Sequence, residues 1–161
     1  MTEHNISIII PTYNVENTIE ETFESIKSQT LGFENIEVIF VDDNSTDNTI
    51  NILKNYENNF SNVKLFKTIT NSGFAGKPRN IGLLASNSKY VLFLDSDDQL
   101  LIDGAEVLYN RIISDKSDIV IGLVNMVFEV IGMMTAFASL NDDIKDIVLI
   151  GNIACIPVVK D

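Results

Sequence analysis

Cysteine, histidine and basic residues are scarce in this chain of 161 residues. Its 11 lysines and arginines face 23 aspartates and glutamates, which leaves a formal net charge of −12. Because a negative field opposes association with polyanions, nucleic acids and anionic membrane surfaces are poor partners by charge alone. The single cysteine, Cys155, excludes an internal disulfide framework and fits a reducing compartment. The one histidine, His4, lies beside the amino terminus, so we expect Cys155 to be a small core residue and not a nucleophile.

A signal peptide and a clear membrane span are also lacking. The first five residues are polar and not basic, and the apolar run after them meets Pro11 too soon for a signal peptide. Residues 119–140 are the one stretch that suggests a membrane span, but Asn125, Glu129 and two glycines interrupt it. A spanning helix needs about 20 nearly uninterrupted apolar residues, so we expect buried strands there. With 45% hydrophobic residues, the chain has the length and composition of one soluble globular domain.

Short β-branched or apolar runs alternate with amphipathic segments along the chain. Residues 36–41 and 90–94 lack the alternation of a half-solvated strand, which is typical of strands covered on both faces. Strand, helix, strand in repetition is the signature of right-handed βαβ crossovers, and it predicts an α/β domain with a mainly parallel sheet. The predicted strands are 6–10, 36–41, 63–67 and 90–94, with further candidates at 118–124, 147–150 and 153–159.

Four helices are predicted from spacing and capping signals. The first is expected from about residue 16 to residue 29, with Gly32 as its breaker. Ser45 or Thr46 is expected to cap the second, and Pro78 to occupy the first position of the third. At the fourth, Asp103 and Glu106 are expected to form a capping box. The residues expected to face the core are Val15, Ile19, Phe23 and Ile26, then Ile50, Leu53 and Tyr56, then Ile81, Leu83 and Leu84, and finally Val107, Leu108 and Ile112.

The apolar run at 90–94 ends in three carboxylates within four residues, Asp95, Asp97 and Asp98. In an extended chain, side chains two residues apart share a face, so Asp95 and Asp97 are expected to converge while Ser96 and Asp98 point away. Converging carboxylates favour a hard divalent cation, Mg²⁺ or Mn²⁺, completed by water and by phosphate oxygens of a substrate. The alternative is a solvated, aspartate-rich turn.

Polar groups also follow the first two strands, at 11–14 and at Asp42-Asp43. Ligands of parallel sheets bind outside the carboxyl ends of the strands, so these groups and the carboxylates after residue 94 predict one binding rim. Asp42 and Asp43 face opposite ways, so only one of them can enter a crevice.

A glycine-rich loop at 71–80 supplies the basic groups expected at this rim. The dinucleotide and P-loop fingerprints are absent, so phosphates must be held by other means. Gly73 and Gly76 let the backbone approach a ligand closely, and Lys77 and Arg79 are the basic pair of the loop. The alternative is a solvated basic turn.

Four motifs, at residues 8–14, 41–47, 76–82 and 93–98, together resemble the nucleotide-sugar half of inverting glycosyltransferases of family 2, which have the GT-A fold. The resemblance covers about residues 5–115. It implies a GT-A, Rossmann-like three-layer sandwich, in which 116–161 would begin the acceptor half of a single domain. Because the chain stops without a finishing helix or polar tail, we expect a truncated domain.

Carried over residue by residue, the resemblance implies roles for eight side chains. Pro11 and Tyr13 would line the pocket for the base, normally uracil, and Asp43 would accept a hydrogen bond from the base N–H. Asp95 would reach the ribose or a metal-bound water, and Asp97 would ligate the metal directly. The residues expected to support the nucleotide and its diphosphate are Asn71, Lys77 and Arg79. The structural alternatives are a surface aromatic at Tyr13, a helix cap at Asp43 and a solvated Lys77.

The implied activity is metal-dependent transfer of a sugar, with inversion, from a UDP-sugar to a cell-surface glycan or teichoic acid at the cytoplasmic face of the plasma membrane. The loop at 71–80 resembles that of bacterial wall teichoic acid glycosyltransferases, which transfer N-acetylglucosamine to polyribitol phosphate. The family's catalytic base is expected downstream of Asp161, because Asp142, Asp143 and Asp146 do not lie in a matching context. The alternatives are a module that only binds nucleotide sugars, a phospho-receiver domain and a nucleotidyltransferase.

Overall fold

The computed structural model describes residues 4–116, 119–121 and 146–149. Within them, six strands alternate with four helices, and a short 3-10 turn at Phe33–Asn35 precedes the second strand. The strands are β1 (Ile6–Thr12), β2 (Ile36–Asp42), β3 (Val63–Lys67), β4 (Tyr90–Phe93), β5 (Ile119–Ile121) and β6 (Asp146–Leu149). The helices are α1 (Ile19–Lys27), α2 (Thr49–Asn59), α3 (Gly76–Ala85) and α4 (Gly104–Asp115).

All the described strands belong to one parallel sheet in the order β3-β2-β1-β4-β6-β5. β1 lies in the middle, where Ile8 pairs with Val38 on one side and Leu92 on the other. Helices connect the first four strands, since parallel neighbours require long crossovers. The predicted α/β class with a parallel sheet is therefore confirmed, and the carboxyl ends of β1, β2 and β4 meet at one edge.

Both faces of the sheet are covered by apolar side chains. Ile8 and Ile10 pack in a large core with Phe23 of α1 and Leu53 of α2. The alternate residues of the strands face a smaller cluster beneath α3; its members are Ile9, Ile39, Val41, Val91, Phe93, Phe66, Ile81 and Leu83. The absence of apolar and polar alternation in these strands follows from this double coverage.

The prediction that Pro11 ends the first strand is wrong, because β1 continues to Thr12. Ile9 directs its carbonyl towards Leu94, whose N–H lies 3.1 Å away. Backbone groups two residues apart in a strand point to the same side, so the nitrogen of Pro11 also faces β4. It lies beyond the last pair of β1 with β4, which is Ile9 with Phe93. A proline is tolerated where no ladder hydrogen bond is required.

The expected capping signals at the second and fourth helices are also wrong. Asn48, and not Ser45 or Thr46, precedes α2, because both residues are used in contacts with Asn14. Asp103 precedes α4 but forms no side-chain cap, and the carboxylate of Glu106 accepts a hydrogen bond from Thr30 instead.

The first and third helices begin at residues other than those predicted. α1 begins at Ile19, because Thr18 and Ile19 both direct their N–H groups to the carbonyl of Val15 in a preceding turn. Pro78 is the third residue of α3, since Gly76 and Lys77 already belong to the helix. The predicted packing faces are partly wrong at α4, where Val107 is 55% exposed, and at α3, where Leu84 is 81% exposed. Pro78 and Gly82 are buried in its place.

The remaining predictions for the carboxyl-terminal part can be compared only in part. β5 and β6 lie within or beside the predicted strands 118–124 and 147–150. The predicted strand 153–159, Cys155, Asp142, Asp143 and most of 119–140 lie outside the described residues. In the part of the chain that the structure describes, no helix has the length and apolar character to cross a membrane.

Candidate functional site

A cavity of about 370 Å³ opens where β1, β2 and β4 end. Its volume lies in the range of small-molecule sites. Seven of the eight predicted site residues line it, and the exception is Lys77. The lining residues are Pro11, Thr12, Tyr13, Asp43, Asn71, Gly73, Phe74, Ala75, Pro78, Arg79, Asp95, Ser96 and Asp97.

Asp43 is the one carboxylate that β2 directs towards this cavity. Its neighbour Asp42 is fully buried on the opposite side of the strand, where it accepts the N–H of Ser45. Asp43 is 5% exposed and is held by the hydroxyl of Thr68 and by the N–H and hydroxyl of Ser72. The prediction that only one of the two aspartates can enter a crevice is confirmed.

The contacts of Asp43 keep its carboxylate ionised. Burial raises the pKa of this carboxyl, but the two hydrogen bonds from Ser72, the hydroxyl of Thr68 and the charge of Lys77 together lower it below its ordinary value. Lys77 is exposed on the first turn of α3 and does not line the cavity. It acts on Asp43 through its charge. The site therefore presents an acceptor, and not an acid, to whatever enters it.

Tyr13 projects from the loop between β1 and α1, and it is 47% exposed at the mouth of the cavity. The next residue, Asn14, has a φ of 53° and accepts the N–H of Thr46 through its side chain. Its own N–H donates to the hydroxyl oxygen of Ser45. The loop of Tyr13 is thereby bonded to the loop that follows Asp43.

Arg79 forms an ion pair with Asp95 across the cavity wall. Its guanidinium also lies 6.0 Å from the ring of Phe93, a distance at which a cation is attracted to an aromatic face. The two residues were assigned separate roles from sequence, and their pairing was not predicted. The pair links the first turn of α3 to the loop after β4.

The carboxylates of Asp95, Asp97 and Asp98 lie within electrostatic range of one another. Burial raises the pKa of Asp98, and the charges of Asp95 and Asp97 raise it further. Asp98 does not line the cavity, which agrees with the expectation that it points away. Ser96 lines the cavity, so the same expectation for Ser96 is wrong; a turn in which Asp98 donates its N–H to the carbonyl of Asp95 follows the strand. Among the described residues Asp97 is exposed and forms no hydrogen bond or ion pair.

A metal site can be assessed from these carboxylates. Among the described residues, no three His, Cys, Asp or Glu side chains form a group that could hold a metal ion by themselves. Mg²⁺ in nucleotide enzymes takes only one or two protein carboxylates, and water and substrate phosphates complete its shell. Asp97, with Asp95 beside it on the cavity wall, fits that arrangement.

Among the residues at the site that received no role from sequence are Thr68, Ser72 and Phe74. Phe74 lines the cavity and is 70% exposed, whereas Thr68 and Ser72 hold Asp43. The triplet Asn71-Ser72-Gly73 signals a tight turn, and the N–H of Gly73 indeed donates to the side chain of Asn71. No local signal indicates a contact with Asp43, which lies 25 residues before Thr68 and 29 before Ser72.

Comparison with known proteins relates the chain to enzymes of the bacterial cell wall. The model of the family described as Glycosyl transferase family 2 matches residues 7–136. Poly(ribitol-phosphate) beta-glucosyltransferase of Bacillus spizizenii is 42% identical over 120 residues, which are 73% of this chain and 18% of that protein. Poly(ribitol-phosphate) beta-N-acetylglucosaminyltransferase TarP of Staphylococcus aureus is 41% identical over 119 residues, which are 73% of this chain and 36% of that protein.

A solved structure agrees with these relatives. The crystal structure of S. aureus TarS 1–349 in complex with UDP-GlcNAc superposes with a TM-score of 0.71 at 35% identity, over 80% of this chain and 37% of that chain. The chain thus spans well under half the length of each of these proteins. The fold is that of GT-A glycosyltransferases, and the resemblance seen in the sequence motifs is confirmed. The chain belongs to glycosyl transferase family 2.

Proposed function

We propose that the chain is the donor-binding part of a metal-dependent, inverting glycosyltransferase that transfers a sugar from a UDP-sugar to a wall glycopolymer of the teichoic acid type. One observation carries the proposal: a single cavity holds an ionised hydrogen-bond acceptor, Asp43, after β2 and a carboxylate pair, Asp95 and Asp97, after β4. β1 lies between these strands, so the two polar groups flank the cavity. A nucleoside diphosphate, which has a base at one end and anionic oxygens at the other, matches these two groups.

The base would lie between Tyr13 and Asp43. Tyr13 supplies an exposed aromatic face for packing, and Asp43 accepts the N–H of uracil. Pro11 and Asn71 also line the cavity.

The diphosphate would lie towards Arg79 and the carboxylates. Arg79 is the cation of the cavity wall, and its position near the start of α3 adds the positive end of a helix dipole. Asp97, with Asp95, would hold Mg²⁺ or Mn²⁺. Such an ion would neutralise the charge that develops on the leaving UDP.

Inversion also requires a carboxylate that takes the proton of the acceptor hydroxyl from the opposite face of the sugar. The resemblance to the family implies that this group lies further along the chain, and we place it outside the donor-binding part. We further propose that the reaction takes place at the cytoplasmic face of the membrane, which agrees with the reducing compartment indicated by a single cysteine. TarS was crystallised with UDP-GlcNAc, so that donor is the first to test.

Isothermal titration calorimetry of UDP tests the proposal. Wild-type protein should bind UDP in Mn²⁺ and should lose at least about tenfold in affinity in EDTA, since about 1.4 kcal/mol of metal-mediated binding corresponds to that factor. The Asp97→Asn variant should bind UDP weakly in both buffers. Asp103→Asn, which removes an exposed carboxylate at the start of α4, is the matched control and should behave like wild type. Metal-independent UDP binding that Asp97→Asn leaves intact would refute the metal assignment.

A phospho-receiver domain is not favoured. It needs paired carboxylates after the first strand, and here Pro11 and Thr12 end β1. A module that only binds nucleotide sugars predicts the same UDP titration but no UDP release. Measurement of UDP released from UDP-GlcNAc in the presence of polyribitol phosphate separates the two when the protein assayed also carries the carboxylate that we place outside the donor-binding part.

A further inference from the structure

The loop from Thr68 to Phe74 contacts Asp43 at three points. The Thr68 hydroxyl lies 2.8 Å from Oδ1, and the N–H and hydroxyl of Ser72 each lie 2.7 Å from Oδ2. The loop is itself fastened to the sheet, because the N–H of Thr68 donates to the carbonyl of Asp42 at 2.9 Å. These contacts come from a segment that lines the cavity with Asn71, Gly73 and Phe74.

The three contacts leave the carboxylate with one defined acceptor direction. An ionised carboxylate offers about four lone-pair sites, two on each oxygen. Ser72 occupies both sites of Oδ2, and Thr68 occupies one site of Oδ1. The one remaining lone-pair site is therefore on Oδ1, in a carboxylate that lines the cavity.

The donors on this loop also favour the ionised form of Asp43. Each hydroxyl has a backbone carbonyl as a second neighbour, Thr70 for Thr68 and Phe74 for Ser72, both at 3.0 Å. With the carboxylate ionised, each hydroxyl can direct its proton to Asp43. The N–H of Ser72 can only donate, so a proton on Oδ2 of Asp43 would lie against it, whereas either hydroxyl could turn its proton to its neighbouring carbonyl and accept; the fixed N–H is therefore the contact that opposes protonation. The lowered pKa of Asp43, in which burial is outweighed by Ser72, Thr68 and the charge of Lys77, agrees with this geometry.

We propose that Thr68 and Ser72 are positioning residues that determine base specificity: they hold Asp43 as an ionised acceptor whose one open site, on Oδ1, selects a base with an N–H at its pairing edge. Uracil carries such an N–H at N3, whereas cytosine carries an acceptor there. The inference rests on the proposed UDP-sugar function, and it assigns the choice of base to a pair of hydroxyl residues that need not touch the base.

Loss of either hydroxyl should relax this selection. In Thr68→Val, Oδ1 has two open sites, so the carboxylate can turn and take up a proton that suits cytosine. In Ser72→Ala, Oδ2 keeps the N–H of residue 72 but has an open site of its own. Each change removes one hydrogen bond to a charged group, and we expect the ratio of UDP to CDP affinity to fall by about tenfold.

The test is calorimetric titration of UDP and CDP, both in Mn²⁺, into wild type, Thr68→Val, Thr68→Ser, Ser72→Ala and Thr70→Val. Thr68→Ser keeps the hydroxyl and should keep the wild-type ratio. Thr70→Val is the same substitution two residues away, on an exposed side chain, and this variant should also keep the wild-type ratio of UDP to CDP affinity. If Thr68→Val does not fold, Ser72→Ala tests the inference on base specificity, because Ser72 lies in a loop.

The outcomes separate the two proposals. Wild-type protein that fails to bind UDP refutes the proposed function. Wild-type protein that prefers UDP, with Thr68→Val and Ser72→Ala weakening UDP and CDP by the same factor, refutes this inference, since a merely structural role lowers both affinities and leaves their ratio unchanged. A ratio that falls in these two variants and stays constant in Thr68→Ser and Thr70→Val supports it.

Discussion

The backbone N–H of Asn14 lies 3.0 Å from the hydroxyl oxygen of Ser45, and this hydrogen bond joins the loop of Tyr13 to the loop that follows Asp43. The side chain of Asn14 completes the junction by accepting the N–H of Thr46 at 2.8 Å. Tyr13 and Asp43, the two residues proposed to bind the base, are thus held relative to each other by hydrogen bonds between their neighbours in the chain.

Substitutions of Asn14 should separate its two contributions. Asn14 has a φ of 53°, where a residue other than glycine is strained unless, like asparagine, it tolerates the left-handed region. Asn14→Gly keeps this backbone conformation and loses the side-chain acceptor, at a cost of about 1 kcal/mol. Asn14→Ala loses the acceptor and adds strain, for a total of about 2 kcal/mol. The measurement is the free energy of unfolding in urea, and equal losses in both variants would contradict the role given to the backbone.

Gly82 of α3 should tolerate no side chain. A Cβ at this position would overlap Cγ2 of Ile9, which belongs to the central strand. Alanine gains about 1 kcal/mol in helix propensity over glycine, but overpacking costs roughly 1–3 kcal/mol, so we expect Gly82→Ala to be destabilising overall. Gly104→Ala is the control, because the nearest atoms there lie 3.9 Å from the added Cβ. Thermal unfolding checks both, and a Gly82→Ala variant as stable as wild type would mean that α3 does not pack so closely on β1.

Arg79 should be needed for nucleotide affinity in a way that lysine cannot replace. Its guanidinium reaches Asp95 and the face of Phe93 together, and an ammonium on a flexible stem reproduces neither geometry. We expect both Arg79→Ala and Arg79→Lys to lower UDP affinity in Mn²⁺ by about tenfold or more. Arg111→Ala is the matched control, since the ion pair that Arg111 makes within the described residues is with Asp115 on the exposed side of α4. An unchanged affinity in Arg79→Lys would show that charge alone is sufficient there.

Glu37 should make stability depend on pH below neutrality. Burial raises the pKa of this carboxyl, but the N–H of Asn87, the ammonium of Lys64 and the hydroxyl of Ser7 together lower it in the folded chain. A carboxyl with a lowered folded pKa stabilises the protein fully above its ordinary value of 4.5, and this contribution is lost as the pH falls through the folded value.

The comparison is between wild type and Glu37→Gln in urea unfolding across pH. The difference in unfolding free energy should be constant near neutral pH and should shrink at pH values below 4.5. Glu34→Gln, at an exposed glutamate, provides the control for a general charge effect. A difference that grows on acidification would have the wrong sign for this account.

The sheet and most of the site could be predicted because their signals are local. Apolar runs such as 36–41 reveal strands covered on both faces, and parallel strands bring their carboxyl ends to one edge whatever their exact register. For that reason Asp43 and Asp97 were placed on one rim from sequence, and the cavity contains both.

The contacts that hold the site could not be predicted, because they depend on register and on loops that meet in space. Pro11 lies inside β1 only because β4 ends before it, which the sequence of β1 cannot reveal. Ser45 carries a sound capping signal, yet its hydroxyl contacts Asn14, 31 residues earlier. The pairing of Arg79 with Asp95 likewise required the positions of α3 and β4.

In the proposed complex, one cavity accepts the base at Asp43 and the metal-bound diphosphate at Asp97. The most direct measurement is a crystal structure of the chain with UDP and Mn²⁺. We expect uracil N3 within hydrogen-bond distance of Oδ1 of Asp43, roughly 2.7–3.2 Å, and a manganese ion held at the Asp97 carboxylate beside the diphosphate. UDP bound with its base at Asp97, or outside this cavity, would contradict it.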